Sequence, residues 1–164
     1  DEGMRRAVLL GLYTGQRRGD ILNLPWTNYR DGRVYLKQGK TGAWVDIPAA
    51  ERLKLELDGA SRTGLLIVLS PTGKRYDDRN FNRAFDEVKT RAVHDGFNEK
   101  LLFMDLRRTC AVNMARAGCT NREITAVTGH DISSFEGILK VYLPRCSEFA
   151  DNAIKKLETS EKKG

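Results

Sequence analysis

Apolar residues in the first part of the chain recur at the spacing of an α-helix. From Met4 to Leu12 they return every four positions and therefore share one helical face. Gly15 follows this stretch, and glycine readily adopts the left-handed conformation in which many helices end. The pattern predicts a first helix that ends near Gly15 and a short second helix over residues 20–24, which Pro25 terminates.

Two segments with alternating apolar and polar residues come next, a pattern typical of half-buried strands. They cover residues 33–37 and 43–47 and flank a loop, 38–42, that contains two glycines. Such a loop predicts an antiparallel hairpin. A helix is predicted over 49–57, and the apolar run 65–69 fits either a buried strand or a turn.

Helical spacing returns in the second half of the chain. One helix is predicted from Asp77 or Asp78 to about Val93, and another from Asp105, as its N-cap, to Gly118. The predicted buried face of the second helix consists of Leu106, Cys110, Asn113 or Met114, and Ala117.

Capping signals organise the last part of the chain. A capping box that starts at Thr120 predicts a short helix ending at Gly129, and a second capping box starts at Ser133. Pro144 suits the first turn of a terminal helix that runs towards Leu157, because its missing N–H would have no partner there in any case.

Length and composition agree with a single domain. The chain has 164 residues, of which 40% are hydrophobic, enough to build one core. We expect this domain over residues 1–158 and a disordered polar tail over 159–164. No apolar run approaches the ~18 residues of a membrane span, so no membrane partner is expected. The predicted fold class is mainly α with a small antiparallel β-sheet (α+β).

Charge and cysteine content narrow the function classes. The net charge of +6 favours a polyanionic partner, although the basic residues are scattered along the chain. The three cysteines form no C-x-x-C pair, and neither histidine lies at zinc-ligand spacing from a cysteine. We therefore expect reduced thiols in a cytosolic protein and no metal site.

The hairpin sequence Gly39-Lys40-Thr41 is similar to part of a phosphate-binding P-loop. That motif requires a further glycine five residues before Gly39 and a helix afterwards. The chain has Val34 at the first position and a predicted strand after the loop, which excludes a P-loop nucleotidase. A two-metal nuclease stays a weaker alternative, because no motif singles out a set of carboxylates.

Four further segments carry charged or aromatic residues in an informative order. They are Thr14-Gly15-Gln16-Arg17-Arg18-Gly19-Asp20, the hairpin tip with Lys40, Asp105-Leu106-Arg107-Arg108-Thr109, and Thr128-Gly129-His130 followed by Tyr142. Each alone is compatible with an ordinary surface or core role. Together, in this order and spacing, they resemble the catalytic domain of the tyrosine recombinase (phage integrase) family over about residues 4–145.

The resemblance implies the tyrosine-recombinase catalytic-domain fold (DNA breaking-rejoining enzyme type) and a set of site residues. The implied catalytic residues are Arg17, Lys40, Arg107, His130 and Tyr142, with Asp20 in a supporting, orienting role. The implied reaction is attack of the tyrosine on a DNA phosphodiester, which forms a covalent 3′-phosphotyrosyl link and frees a 5′-hydroxyl. Guanidinium groups bind the anionic phosphate and the lysine protonates the leaving oxygen, so neither a metal nor a cofactor is implied.

The chain departs from the family pattern at Met104. A histidine usually stands there, three residues before the second arginine. Methionine is a weak acceptor with no donor, so it cannot transfer a proton. This departure leaves a catalytically impaired DNA-binding remnant of the same fold as an alternative to an active recombinase. A type IB topoisomerase, which shares the tyrosine chemistry, is a further alternative.

The resemblance also implies partners. They are double-stranded DNA and further copies of the protein, in this family usually four, together with accessory DNA-bending proteins in some members. Family members normally have a preceding DNA-clamping domain. We expect this chain to be a fragment without that domain, so its DNA binding should be weak and salt-sensitive. The expected setting is a prophage or mobile-element integrase in a bacterial cytoplasm, associated with the nucleoid.

Overall fold

The computed structural model describes residues 1–93, 100–129, 137 and 147–161. Over these ranges the chain is mainly helical with one small antiparallel sheet, as the sequence predicted. No helix of the described part is long and apolar enough to cross a membrane. The helices are α1 (Glu2–Thr14), α2 (Arg18–Leu22), α3 (Glu51–Asp58), α4 (Asp78–Val93), α5 (Phe103–Arg116), α6 (Asn121–Thr128) and α7 (Ser147–Glu161). The strands are β1 (Tyr29–Arg30), β2 (Arg33–Lys37) and β3 (Trp44–Pro48), in sheet order β1-β2-β3.

Helix α1 is buried along most of its length and packs against α2, α3 and α5. Two glycines allow this close packing. A Cβ on Gly3 would lie 1.8 Å from the carbonyl oxygen of Leu69, and a Cβ on Gly11 would lie 3.1 Å from the Leu106 side chain of α5. The C-terminal end of α1, from which the chain turns towards Arg17, is therefore held by packing along the whole helix.

The sheet contains a strand that the sequence analysis missed. β1 pairs with β2 through a two-residue turn, Asp31-Gly32, in which both residues have positive φ angles of 53° and 69°. These are the dihedrals of a type I′ turn. The β2–β3 pair forms as predicted, with β3 shifted by one residue, and its apolar face, including Val34 and Ile47, is buried in the core.

Helix α5 differs from its prediction in its start and in its buried face. It begins at Phe103, and Asp105 is not the N-cap: its carboxylate reaches back and accepts a hydrogen bond from the Leu102 N–H at 2.8 Å. Asn113 and Ala117 are exposed, not buried. The reason is that α5 contacts α1 on one side and α6 on another, so alanines that the single-face pattern left out are buried as well.

Several helix boundaries also differ from expectation, among them α3, which begins two residues later than predicted, and the run 65–69 resolves an alternative that the sequence left open. The run 65–69 contributes a single bridge between Leu66 and Pro25. Helix α2 ends at Leu22, two residues early. Helix α7 continues to Glu161, so the first three residues of the predicted disordered tail are helical. Thr159 is accommodated in the helix by donating its hydroxyl to the carbonyl oxygen of Lys155, four residues earlier, at 2.7 Å. The predicted cap at Ser133 and the Pro144 turn lie outside the described residues.

Candidate active site

Helices α1 and α6 end in the same way and meet at their C-terminal ends. Each ends in Thr-Gly, at Thr14-Gly15 and Thr128-Gly129, and the glycines adopt left-handed φ angles of 62° and 64°. Each threonine is buried and donates its hydroxyl to the carbonyl four residues earlier. A Cβ on Gly15 would lie 2.8 Å from Cγ2 of Thr128, so the two helix ends are in direct contact.

The guanidinium of Arg107 joins these two helix ends. Only 7% of the residue is exposed, and its Nη1 donates hydrogen bonds to the carbonyl oxygens of Gly15 and of Thr128, the latter at 2.6 Å. Burial and, to a smaller extent, the nearby charge of Arg17 lower the pKa of Arg107 to about 10, while Asp20 opposes the shift. The group is still protonated at neutral pH. The meeting point of the two helix ends, Thr14-Gly15 and Thr128-Gly129, which we call the junction, therefore holds a buried positive charge.

A second guanidinium, that of Arg17, reaches the same junction through the hairpin. Arg17 is half-buried directly before α2, and its Nη1 donates to Oε1 of Gln38 at 3.2 Å. Gln38 is the residue after β2, and its Nε2 donates to the Thr128 carbonyl oxygen at 2.8 Å. That oxygen therefore accepts from both Gln38 and Arg107, which places the two arginines around one point.

The hairpin tip is tethered beside the arginines by Asp20. Oδ1 of Asp20 accepts a hydrogen bond from the Gly39 N–H at 2.9 Å, and Oδ2 is buried without a hydrogen-bond partner among the described residues. Lys40, the next residue along, is exposed at the tip. The structure thus brings Arg17, Asp20 and Arg107 together and leaves the lysine on the solvent side of the same loop.

Met104 lies one turn before Arg107 on α5, and 55% of it is exposed. It lines an open groove of about 500 Å³ whose walls include Arg18, Phe85 and Lys89. A side chain at this position is accessible to a ligand that enters this groove, whose lining includes neither Arg17 nor Arg107. The methionine offers that ligand an apolar surface and no proton.

Two candidate residues, His130 and Tyr142, lie outside the described residues. In sequence His130 directly follows Gly129, the residue that ends α6 at the junction. The roles of both residues therefore stay predictions from the motif resemblance.

Two buried glutamines of the site were missed by sequence reasoning. Gln16 is 2% exposed and Gln38 is wholly buried. Glutamine is usually a surface residue, so composition and periodicity gave no reason to single them out. The available signal was their position: Gln16 directly precedes Arg17, and Gln38 lies two residues before Lys40.

Other reactive groups near the junction have ordinary roles. Cys110 is buried close to Gly15, and burial raises the pKa of its thiol to about 12, so it stays neutral and unreactive.

Across the ranges that the structure describes, no group of three histidine, cysteine or acidic side chains could hold a metal ion.

Replacing Gly129 with alanine is expected to lower the free energy of unfolding by about 2–3 kcal/mol. The left-handed φ alone costs a residue with a side chain about 1–2 kcal/mol. The new Cβ would in addition lie 2.4–2.6 Å from the amide atoms of Gln38, which must then move and lose hydrogen bonds.

Gly73→Ala is the matched control for this change, because Gly73 has a φ of 74° and no atom within 4 Å of its Cβ position. Urea denaturation of both variants should give a clearly smaller loss for Gly73→Ala. Equal losses would show that contact with Gln38 is not what requires glycine at 129.

Comparison with known proteins places these features in a family context. The model of the phage integrase family matches residues 2–138. The integrase of Escherichia phage lambda is 43% identical over 47 residues, and prophage integrase IntE of Escherichia coli K12 is 42% identical over 50 residues. These alignments cover 29% and 30% of this chain and 13% of the length of each relative.

Solved structures extend the similarity to most of the chain. XerA recombinase superposes with a TM-score of 0.71 over 95% of this chain and 63% of its own, at 18% identity, a likeness of fold. A lambda integrase tetramer bound to a Holliday junction superposes with a TM-score of 0.61 over 79% of this chain and 41% of its own, at 26% identity.

Proposed function

The chain belongs to the phage integrase family, and we propose that it is the catalytic domain of a site-specific DNA recombinase. In this proposal it cuts and rejoins DNA strands through a covalent 3′-phosphotyrosyl intermediate. The observation that carries the proposal is the convergence of Arg17 and Arg107 on one junction. Negative charge grows on the non-bridging oxygens of a phosphodiester during attack, and planar guanidinium groups stabilise it by paired hydrogen bonds.

In the proposed reaction Tyr142 is the nucleophile. Its oxygen attacks the phosphorus, the bond from phosphorus to the 5′-oxygen breaks, and the 3′-phosphate stays attached to the tyrosine. Tyrosine is mostly protonated at neutral pH, and neighbouring positive charge favours the loss of its proton to solvent water during attack. The leaving 5′-oxygen takes a proton from Lys40, and His130 donates a further hydrogen bond to the phosphate.

Asp20 orients the site without touching the phosphate in this proposal. Its hydrogen bond from the Gly39 N–H tethers the hairpin tip at the residue next to Lys40. Its charge also favours the protonated form of Arg107. The carboxylate thus supports the hairpin and the buried cation at the same time.

The proposed substrate is double-stranded DNA, and the proposed working form is an assembly of four protomers. The similar lambda integrase structure is a tetramer bound to a Holliday junction. Each active site cuts one strand, so strand exchange needs several protomers. The covalent bond to tyrosine conserves the energy of the phosphodiester bond that is broken, so rejoining needs no ATP. The protein would act on DNA in a bacterial cytoplasm, associated with the nucleoid.

A covalent trapping experiment tests this function. The probe is a library of nicked duplex oligonucleotides with randomised sequence, in which the short cleaved fragment diffuses away and leaves the protein attached. We expect an adduct that resists SDS, forms equally in EDTA, and maps by peptide mass spectrometry to Tyr142. Absence of an adduct, or attachment at another residue, contradicts the proposal.

The variant Met104→His, assayed in parallel, separates the recombinase from the impaired remnant. We expect the wild type to react and the variant to change the cleavage rate by less than about tenfold, below the usual range of general acid–base effects. An adduct that forms only in the variant would identify a remnant. A topoisomerase would relax a supercoiled plasmid as a monomer. It would also exchange no strands on the DNA sequence that is recovered from the covalent adduct, and this pair of results would favour that alternative.

A further inference from the structure

The side-chain amide of Gln38 uses its full hydrogen-bonding capacity at the junction. Nε2 donates to Oε1 of Gln16 at 2.6 Å and to the carbonyl oxygen of Thr128 at 2.8 Å. Oε1 accepts from Nη1 of Arg17 at 3.2 Å and from the Thr41 hydroxyl at 2.8 Å. An amide offers two donors and two acceptor sites, so its orientation is completely determined.

The partners of Gln38 come from three separate parts of the fold. Arg17 and Gln16 lie between α1 and α2, Thr41 lies in the hairpin loop, and Thr128 ends α6. Gln16 extends the network, because its own Nε2 donates to the carbonyl oxygens of Thr14 and Val127. The two glutamines therefore connect the hairpin and Arg17 to the C-terminal ends of α1 and α6.

The chemistry of an amide suits a contact with an arginine that must bind an anion. A simple ion pair with Arg17 would call for a glutamate in place of Gln38, and such a buried carboxylate would neutralise the arginine and compete with phosphate. An amide oxygen accepts the hydrogen bond and leaves the full charge on the guanidinium. A carboxylate would also lack the two N–H donors that bind Gln16 and Thr128.

We propose that Gln38 is a positioning residue that orients the guanidinium of Arg17 towards the scissile phosphate. It couples the placement of this arginine to that of the hairpin that carries Lys40. The inference rests on the proposed recombinase function and extends it to a residue that makes no contact with DNA.

The test compares cleavage of two substrates made from the DNA sequence recovered by covalent trapping. One has the natural phosphate and the other a neutral methylphosphonate at the scissile position. We expect Gln38→Ala to slow cleavage of the phosphate substrate by about 30-fold, because a misplaced catalytic group loses up to about 10²-fold in rate. The methylphosphonate carries one negative charge fewer for Arg17 to stabilise, so the loss on it should be about tenfold smaller, the equivalent of one charge-assisted hydrogen bond.

Two further comparisons distinguish positioning from simple loss of stability. Gln16→Ala removes hydrogen bonds of the same network without removing the Arg17 contact, and it should slow both substrates by the same factor. In an Arg17→Ala background, Gln38→Ala should slow the natural substrate by no more than about threefold, the part of its effect that acts through the hairpin. Gln38→Met, which keeps the side-chain volume, replaces Gln38→Ala if circular dichroism shows that the alanine variant is unfolded.

Equal losses on both substrates, or additive losses in the double variant, would overturn the positioning role while the recombinase function stands. A wild type that forms no adduct on any DNA would overturn the recombinase function, and the role of Gln38 in phosphate binding with it.

Discussion

Arg107→Lys is expected to slow DNA cleavage by about 10²- to 10³-fold, the effect of removing one donor that stabilises transition-state charge. A single Nη1 of Arg107 already bridges the carbonyl oxygens of Gly15 and Thr128. The guanidinium can do this because it is planar and carries several donors in a fixed geometry. A lysine has its three donors on a single nitrogen, so it cannot reach both carbonyls and a phosphate in the geometry that the wider guanidinium group offers.

The lysine variant should also acquire a pH dependence. Burial and the charge of Arg17 lower the pKa of Arg107, and arginine still stays protonated because its ordinary pKa is so high. Lysine starts from a lower ordinary pKa, so the same surroundings would bring its titration into the range of assay buffers. Because a lowered pKa favours the neutral form, the residual activity of the variant should fall as pH rises.

We would test this expectation by measuring single-turnover cleavage rates from about pH 6 to about pH 9. A lysine with a lowered pKa titrates in this range. Arg116→Lys is the matched control, an exposed arginine at the end of the same helix, and its rate should stay close to that of the wild type. Retention of cleavage by Arg107→Lys within a few-fold would show that the buried arginine is structural only.

Gly3→Ala is expected to lower the free energy of unfolding by about 4 kcal/mol or more, in the range of the most disruptive single substitutions. The new Cβ would lie 1.8 Å from the Leu69 carbonyl oxygen and 2.9 Å from its carbonyl carbon. These are backbone atoms, so no change of side-chain rotamer can relieve the clash. Either α1 or the 65–69 segment must move.

Gly19→Ala is the control for the general effect of alanine in a helix. Gly19 lies within α2, and no atom lies within 4 Å of its Cβ position. Because alanine has the higher helix propensity, this variant should be stabilised by up to about 1 kcal/mol. Urea denaturation monitored by circular dichroism gives the free energy of unfolding of both variants. A loss for Gly3→Ala no larger than about 1 kcal/mol, the size of a helix-propensity effect, would contradict the packing of α1.

The fold was predictable where local signals and burial agree. The Thr120 capping box and Gly129 define α6, and the structure has these same boundaries. The turn Asp31-Gly32 is a strong hairpin signal, but β1 is only two residues long and shows no alternation to accompany it. Its pairing with β2 became visible only in the structure.

For the site, the sequence predicted motif positions, whose catalytic roles stay predictions, and gave no sign of the hydrogen-bond network around them. The resemblance identified Arg17 and Arg107, but their hydrogen-bond partners are backbone carbonyls and a glutamine. Gln38 and Thr128 are 90 positions apart in sequence. Burying a glutamine becomes favourable only when such distant partners satisfy it, and no local pattern encodes that.

The carbonyl groups that hold Arg107 lie at the C-terminal ends of α1 and α6. The dipole of each helix places a partial negative charge of roughly half an electron at such an end. The two helix ends therefore add to the charge of Asp20 in compensating the buried cation. These dipoles cannot be protonated or displaced by an incoming phosphate, so in the proposed reaction their contribution would persist while Arg107 binds the DNA phosphate.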